Sequence, residues 1–106
     1  MYNFTIDATA PKSELYAELA RAADALTDGE PDAVANMANV AALLWEYLPD
    51  VNWTGFYRVV DGALVLGPFQ GKAACIRIPF GKGVCGTAAQ TGETQLVEDV
   101  HAFPGH

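Results

Sequence analysis

The sequence predicts one small α+β domain in which two helices precede a mostly antiparallel sheet. Apolar residues recur at helical spacing from Leu15 to Leu48, after an N-terminal arm. From Val51 onward, β-branched and aromatic residues dominate, and Asp61-Gly62 is a hairpin-turn signal between two such runs. The chain has 106 residues, which is the size of a single small domain.

Composition and charge restrict the classes of partner. Hydrophobic residues make up 51% and charged residues 18%, as is typical of a globular chain. The net charge is −7 and the six basic residues are scattered, which argues against nucleic acid and against an anionic membrane surface. No apolar run is long enough for a membrane span, and the N-terminus does not resemble a secretion signal. We therefore expect a cytoplasmic protein.

The first half of the chain predicts two amphipathic helices. The first runs over residues 13–27 with Ser13 as its cap, and the second ends before Pro49. Between them, Gly29 suits a helix end and Pro31 suits the first turn of the next helix. The apolar positions that define the two stripes are Leu15, Tyr16, Leu19, Ala22, Ala23 and Leu26, then Val34, Met37, Val40, Ala41, Leu44, Trp45 and Leu48.

An antiparallel hairpin follows, with strands over residues 51–60 and 63–69. Side chains alternate between the faces of a strand, so Trp53 and Tyr57 share one face of the first strand. That face suits either an apolar pocket for a small ligand side chain or ordinary core packing.

The last third of the chain predicts a strand over 74–79, a glycine loop, a short helix over 84–90 and a fourth strand over 94–100. On the strand over 74–79, Cys75 and Arg77 share one side and the two isoleucines share the other. Thr91-Gly92 ends the short helix, and Cys85 lies at or near its N-terminus. Residues 101–106 are loop-like.

Two cysteines in a chain without a secretion signal indicate a reducing compartment. A helix N-terminus and the nearby Lys82 favour a reactive thiolate at Cys85, whereas two small buried hydrophobic residues are an equally open interpretation of Cys75 and Cys85. The C-x9-C and H-x4-H spacings do not match a structural zinc site. Nothing in the sequence supports His101 as the partner of a nucleophilic cysteine.

Three stretches together resemble one known family. WTGFY, LVLGPFQGKAACIRIPFGKGVCGTAAQTGETQ and DVHAFPGH closely resemble the free methionine-(R)-sulfoxide reductases, a GAF-domain family, and the similarity extends from about Asn52 to His106. The resemblance implies a mostly antiparallel GAF-like sheet backed by helices. It also implies reduction of free L-methionine-(R)-sulfoxide by a cysteine thiol, sulfenic acid and disulfide relay, with thioredoxin as the reductant. No metal or organic cofactor is implied.

The resemblance also implies roles for individual residues. Cys75 matches the resolving cysteine and Cys85 an auxiliary one, while Trp53 and Tyr57 match pocket residues around the methyl end of the substrate. In the family, the attacking cysteine follows the FPGH segment by a few residues, and acidic substrate-binding residues and the last strands lie further on. Since this sequence ends at His106, we expect residues 1–106 to be a C-terminally truncated GAF-like domain without activity.

Two alternatives from other classes stay open. A GAF-type module that binds a small molecule or senses redox state would use Cys75 and Cys85 as reporters rather than as catalysts. A structural dimerisation unit would use neither cysteine. The sequence leaves a homodimer and a monomer both open.

Overall fold

The computed structural model describes all 106 residues and confirms the α+β class. The strands form one three-stranded sheet in the order β1-β2-β3, in which β2 and β3 run antiparallel. The elements, in chain order, are α1 (Lys12–Thr27), α2 (Ala33–Tyr47), β1 (Trp53–Val60), β2 (Ala63–Gly71), β3 (Arg77–Pro79), α3 (Gly83–Thr91) and a 3₁₀ turn (Val100–Ala102). None of the helices combines the length and apolar character needed to cross a membrane.

The chain divides into two compact units. The first comprises residues 1–56 and 67–72, and the second comprises residues 57–66 and 73–106. The first unit therefore contains α1 and α2, and the second contains β3, α3 and the 3₁₀ turn. The β1–β2 hairpin contributes residues to both units.

The core of the first unit is formed by the apolar stripes of α1 and α2. Leu15, Leu19 and Ala22 lie on one face of α1 and cluster with Leu43 of α2, and Leu15 is only 2% exposed. The helical spacing in the sequence predicts Leu15, Leu19 and Ala22 on this face of α1, and the structure confirms them. Leu43 lies outside the predicted stripe of α2, whose Val34 and Trp45 are exposed. Partly buried residues packed around the cluster are Phe4, Ile6, Ala23, Leu26, Leu44, Tyr47 and Leu48.

The two helices begin differently. The predicted cap of α1 is wrong, because the helix starts at Lys12, directly after Pro11, and has no side-chain cap. Pro11 is the N-cap residue, and its carbonyl accepts the first helical bond from Leu15 N–H at 3.0 Å. At α2, by contrast, the Asp32 carboxylate accepts from Ala35 N–H at 2.8 Å and forms a side-chain cap.

Two long-range hydrogen bonds connect elements of the first unit. The buried Thr54 hydroxyl on β1 donates to the Ala41 carbonyl of α2 at 2.9 Å. The Tyr47 hydroxyl of α2 donates to the Phe4 carbonyl of the N-terminal segment at 2.9 Å. A buried hydroxyl without such an acceptor would destabilise the fold, so these bonds help to set where β1 and the N-terminal segment pack.

The hairpin turn is the predicted one. Asp61 and Gly62 both have positive φ angles, 51° and 78°, and they directly connect β1 to β2. Positive φ at both central residues defines the type I′ turn, whose twist matches that of the two strands. The Asp-Gly pair was therefore a sufficient signal for this connection.

The third strand is shorter than predicted. The sequence predicts residues 74–79, whereas β3 comprises only Arg77–Pro79, paired with Val65 to Ala63 of β2. One further bond, from Leu66 N–H to the Ile76 carbonyl at 2.8 Å, ends the ladder. In the same register, the next donor on β2 would be residue 68, which is a proline without an N–H group. The predicted strand therefore stops at this point.

The predicted fourth strand over residues 94–100 is wrong. These residues form no strand, and Leu96 is 97% exposed. They lead instead into the 3₁₀ turn, where the Asp99 carboxylate accepts from His101 N–H at 3.0 Å. An alternating pattern forms a strand only where it pairs with a neighbouring strand, and these residues pair with none of the three strands.

Candidate functional site

The second unit contains a cleft of about 770 Å³ that brings together three of the four predicted site residues. Cys75, Cys85 and Tyr57 all line it. Small and apolar residues make up most of the remaining surface of the cleft, and the polar groups are few. This combination of apolar walls and a few polar groups is typical of small-molecule sites.

Cys85 lies in the first turn of α3, as the sequence predicts. The helix begins at Gly83, so Cys85 is its third residue, and its side chain is exposed. The first intrahelical bond comes from Gly86 N–H to the Lys82 carbonyl at 3.1 Å. The N–H groups of residues 83–85 therefore precede the helical ladder, and the positive end of the helix dipole surrounds the thiol.

Gly86 allows α3 to pack directly on the end of β3. It is buried, and a Cβ atom at this position would lie 2.6 Å from the Pro79 carbonyl oxygen. The Gly86 carbonyl also accepts from Gly81 N–H at 2.8 Å. Because only glycine permits this approach, it fixes where Cys85 lies relative to the end of β3.

Cys75 lies in the irregular segment between β2 and β3. Its side chain is exposed and its thiol is free, as is that of Cys85. Its backbone carbonyl accepts a hydrogen bond from the Tyr57 hydroxyl at 2.7 Å. The exposure of both thiols contradicts the interpretation of the cysteines as small buried hydrophobic residues.

Tyr57 is electrostatically coupled to both cysteines. Burial, followed by the charges that Cys75 and Cys85 carry as thiolates, raises the pKa of the Tyr57 phenol above its ordinary value. The phenol therefore stays protonated at neutral pH and remains a hydrogen-bond donor to Cys75.

This raised pKa predicts an alkaline loss of stability. The protonated phenol stabilises the fold fully below the unfolded pKa of about 10, and that contribution disappears as the pH rises through the higher folded pKa. We expect the tyrosinate absorbance of the native chain, minus that of Tyr57→Phe, to titrate above pH 10. A difference curve centred at or below the ordinary tyrosine value would contradict the coupling.

The cleft is cationic although the chain as a whole is acidic. Arg77 and Lys82 line it, and no acidic side chain does. The one ion pair in the structure joins Arg21 to Glu18, so neither Arg77 nor Lys82 has a carboxylate partner. In a chain of net charge −7, this concentration of positive charge favours an anionic group in the cleft.

Two lining residues were not identified as site residues from the sequence. Arg77 was detectable, because strand alternation places it on the side of Cys75. His106 was not detectable from the sequence, because it reaches the cleft only where the last residues of the chain pack against the start of α3, with Gly105 close to Gly83. His101 does not line the cleft, and its ring lies 6.5 Å from that of His106 in an edge-to-face arrangement.

Trp53 is in the first unit and is not among the residues that line the cleft. Its ring stacks on Phe69, with centroids 5.3 Å apart and planes inclined by 15°. Gly55 leaves room for this stack, since a Cβ atom there would lie 2.8 Å from both the Trp53 ring and the Phe69 Cα atom. The substrate-binding role of Trp53 stays a prediction.

Comparisons with known proteins agree with one another on the class of this chain. No protein-family model matches it. A solved GAF domain superposes with a TM-score of 0.87 at 45% identity, covering 96% of this chain and 62% of that one. The structure of free methionine-R-sulfoxide reductase from Neisseria meningitidis, in complex with its substrate, superposes with a TM-score of 0.92 at 44% identity, covering 100% and 64%.

The sequence comparison adds a curated relative. The Escherichia coli protein named free methionine-R-sulfoxide reductase is 57% identical over 95 residues, which are 90% of this chain and 58% of that protein. The chain spans less than two thirds of the length of the curated relatives it matches. The fold is that of a GAF domain. Within that class of fold, the chain is similar to proteins named free methionine-R-sulfoxide reductase.

Proposed function

We propose that this chain serves the reduction of free L-methionine-(R)-sulfoxide to methionine through a cysteine relay. The observation that carries the proposal is the cleft in which two free, exposed cysteines, Cys75 and Cys85, lie with Tyr57. The relatives named for this activity support the assignment of the reaction.

The chemistry requires more than one thiol. A thiolate attacks the sulfoxide sulfur, the sulfur–oxygen bond breaks, and methionine leaves while the attacking cysteine becomes a sulfenic acid. A second thiol then displaces water from the sulfenic acid and forms a disulfide. Two electrons from a dithiol reductant restore both thiols by exchange. Each cycle thus consumes one sulfoxide and one dithiol and releases one water molecule.

In this proposal Cys75 is the resolving thiol and Cys85 the auxiliary one. The proposed attacking thiol is the one that, by the family resemblance, follows the FPGH segment in the full-length proteins. Thioredoxin is the proposed reductant and the cytoplasm the proposed location. A homodimer is a separate expectation, which sedimentation velocity checks.

The cleft suits a free amino acid. Tyr57 is proposed to contact the methyl end of the substrate, while Arg77 and Lys82 offer positive charge to an α-carboxylate. Trp53 does not line the cleft, and its contact with the substrate rests on the family resemblance alone. A methionine sulfoxide residue inside a peptide has no free α-carboxylate. The cationic lining therefore supports a free amino acid as the substrate.

The test compares two chains. One is residues 1–106 alone, and the other continues after His106 with the remaining C-terminal segment of the Escherichia coli relative. With thioredoxin, thioredoxin reductase and NADPH, we expect the chimera to reduce free methionine-R-sulfoxide but not the S epimer. Residues 1–106 alone should be at least about 100-fold slower, because in this proposal the added segment supplies the attacking nucleophile.

The Escherichia coli protein is the positive control for this assay. If it turns over and a folded chimera does not, the proposed function is wrong for this chain. Binding of free methionine without turnover would instead favour the GAF-type binding module.

A further inference from the structure

The backbone around Cys75 makes few hydrogen bonds to the rest of the chain. The ladder between β2 and β3 ends at the bond from Leu66 N–H to the Ile76 carbonyl, and residues 73–76 belong to neither strand. Within residues 73–75, the hydrogen bond found is the one that the Cys75 carbonyl accepts from the Tyr57 hydroxyl, at 2.7 Å. This contact spans 18 residues of sequence and reaches the residue that carries the thiol.

We propose that Tyr57 is a positioning residue for Cys75, whose hydroxyl holds the Cys75 carbonyl and thereby keeps the thiol at the cleft. Tyr57 is suited to this task because it lies on β1, a regular strand, whereas Cys75 lies in an irregular segment. The inference rests on the proposed function, because the position of the Cys75 thiol affects turnover only if Cys75 resolves a sulfenic acid.

The two ends of Tyr57 have different tasks. The ring lines the cleft, where it is available to an apolar part of the substrate, and the hydroxyl donates to the backbone beside the thiol. Donation requires the protonated phenol, and burial, followed by the charges of the two cysteines as thiolates, raises the pKa of Tyr57, which extends donation to more alkaline pH. The resemblance to the family implies only the contact between the Tyr57 ring and the substrate.

Tyr57→Phe tests the second task because it deletes the hydroxyl and keeps the ring. The matched control is Tyr47→Phe, which deletes a hydroxyl that donates to another backbone carbonyl, that of Phe4, at 2.9 Å. Tyr47 is in the first unit and does not line the cleft. Both variants lose a bond from a hydroxyl to a backbone carbonyl, and Tyr47→Phe also loses the interaction of that hydroxyl with Glu46. The pair therefore separates a general loss of stability from a loss of position at Cys75.

The first readout is the backbone order parameter of residues 73–76, measured by ¹⁵N relaxation on the full 106-residue chain. We expect an order parameter of about 0.85, typical of rigid backbone, in the parent and in Tyr47→Phe, and one below about 0.6 in Tyr57→Phe. An unchanged order parameter in folded Tyr57→Phe overturns the proposal. This readout needs no turnover.

The second readout is kinetic and uses the chimera with the Escherichia coli segment. In Tyr57→Phe, we expect KM for the free sulfoxide to stay within about twofold, kcat to fall about tenfold, and trapped sulfenic acid to accumulate. A raised KM without sulfenic acid would overturn the positioning role and leave Tyr57 as a substrate contact only. Lost order at Cys75 beside an inactive parent chimera would support the positioning role and reject the proposed function.

Discussion

Replacing Cys75 with serine is expected to stop thioredoxin-dependent cycling of the chimera while sparing its first turnover. The attacking thiol can still form a sulfenic acid and release methionine, but no resolving thiol then forms the disulfide that thioredoxin reduces. The steady-state rate should fall at least about 100-fold. Without reductant, Cys75→Ser and the parent should each release one methionine per chain. The measurement is NADPH oxidation in the coupled assay, with methionine counted in a single turnover.

Cys85→Ser is the matched control, because Cys85 lines the same cleft and is equally exposed. Its steady-state rate should stay within about threefold of the parent if the thiol is auxiliary. Full cycling by Cys75→Ser together with failure of Cys85→Ser would reverse the two roles. Dithiothreitol is avoided in this comparison, since a small thiol can reduce the sulfenic acid directly.

Replacing Gly55 with alanine is expected to cause a large loss of stability. The added Cβ atom would lie 2.8 Å from the Phe69 Cα atom, which is backbone, and 2.8 Å from the Trp53 ring. A backbone atom has no rotamer with which to move aside, so the stacked pair must separate or β1 must shift. We expect the free energy of unfolding to fall by about 3 kcal/mol or more, measured by urea unfolding.

Gly62→Ala is the control for this variant. Gly62 has a φ of 78° but no atom within 4 Å of an added Cβ, so it isolates backbone strain from collision. Its cost should be about 1–2 kcal/mol. If Gly55→Ala costs no more than Gly62→Ala, then Trp53 and Phe69 rearrange readily and the close approach at Gly55 is not a structural constraint.

The elements that were predicted correctly depend on local chemistry. The leucine spacing of α1, the Asp61-Gly62 turn and the end of α3 at Gly92 are each decided within a few neighbouring residues. The location of Cys85 in the first turn of α3 follows in the same way from the glycines that precede it. Signals of this kind are visible in a single sequence because the interactions they describe are short in range.

The cleft, by contrast, was decided by tertiary structure. Hydrophobic alternation predicted strands at 74–79 and 94–100, but a strand needs backbone partners. Pro68 has no N–H group to extend the pairing of β3, and residues 94–100 pair with no strand of the sheet. The hydrogen bond from Tyr57 to Cys75 and the arrival of His106 at the cleft join residues distant in sequence. Residue types thus identified the reactive thiols, whereas only the folded chain shows which side chains surround them, because such contacts depend on where separate elements pack.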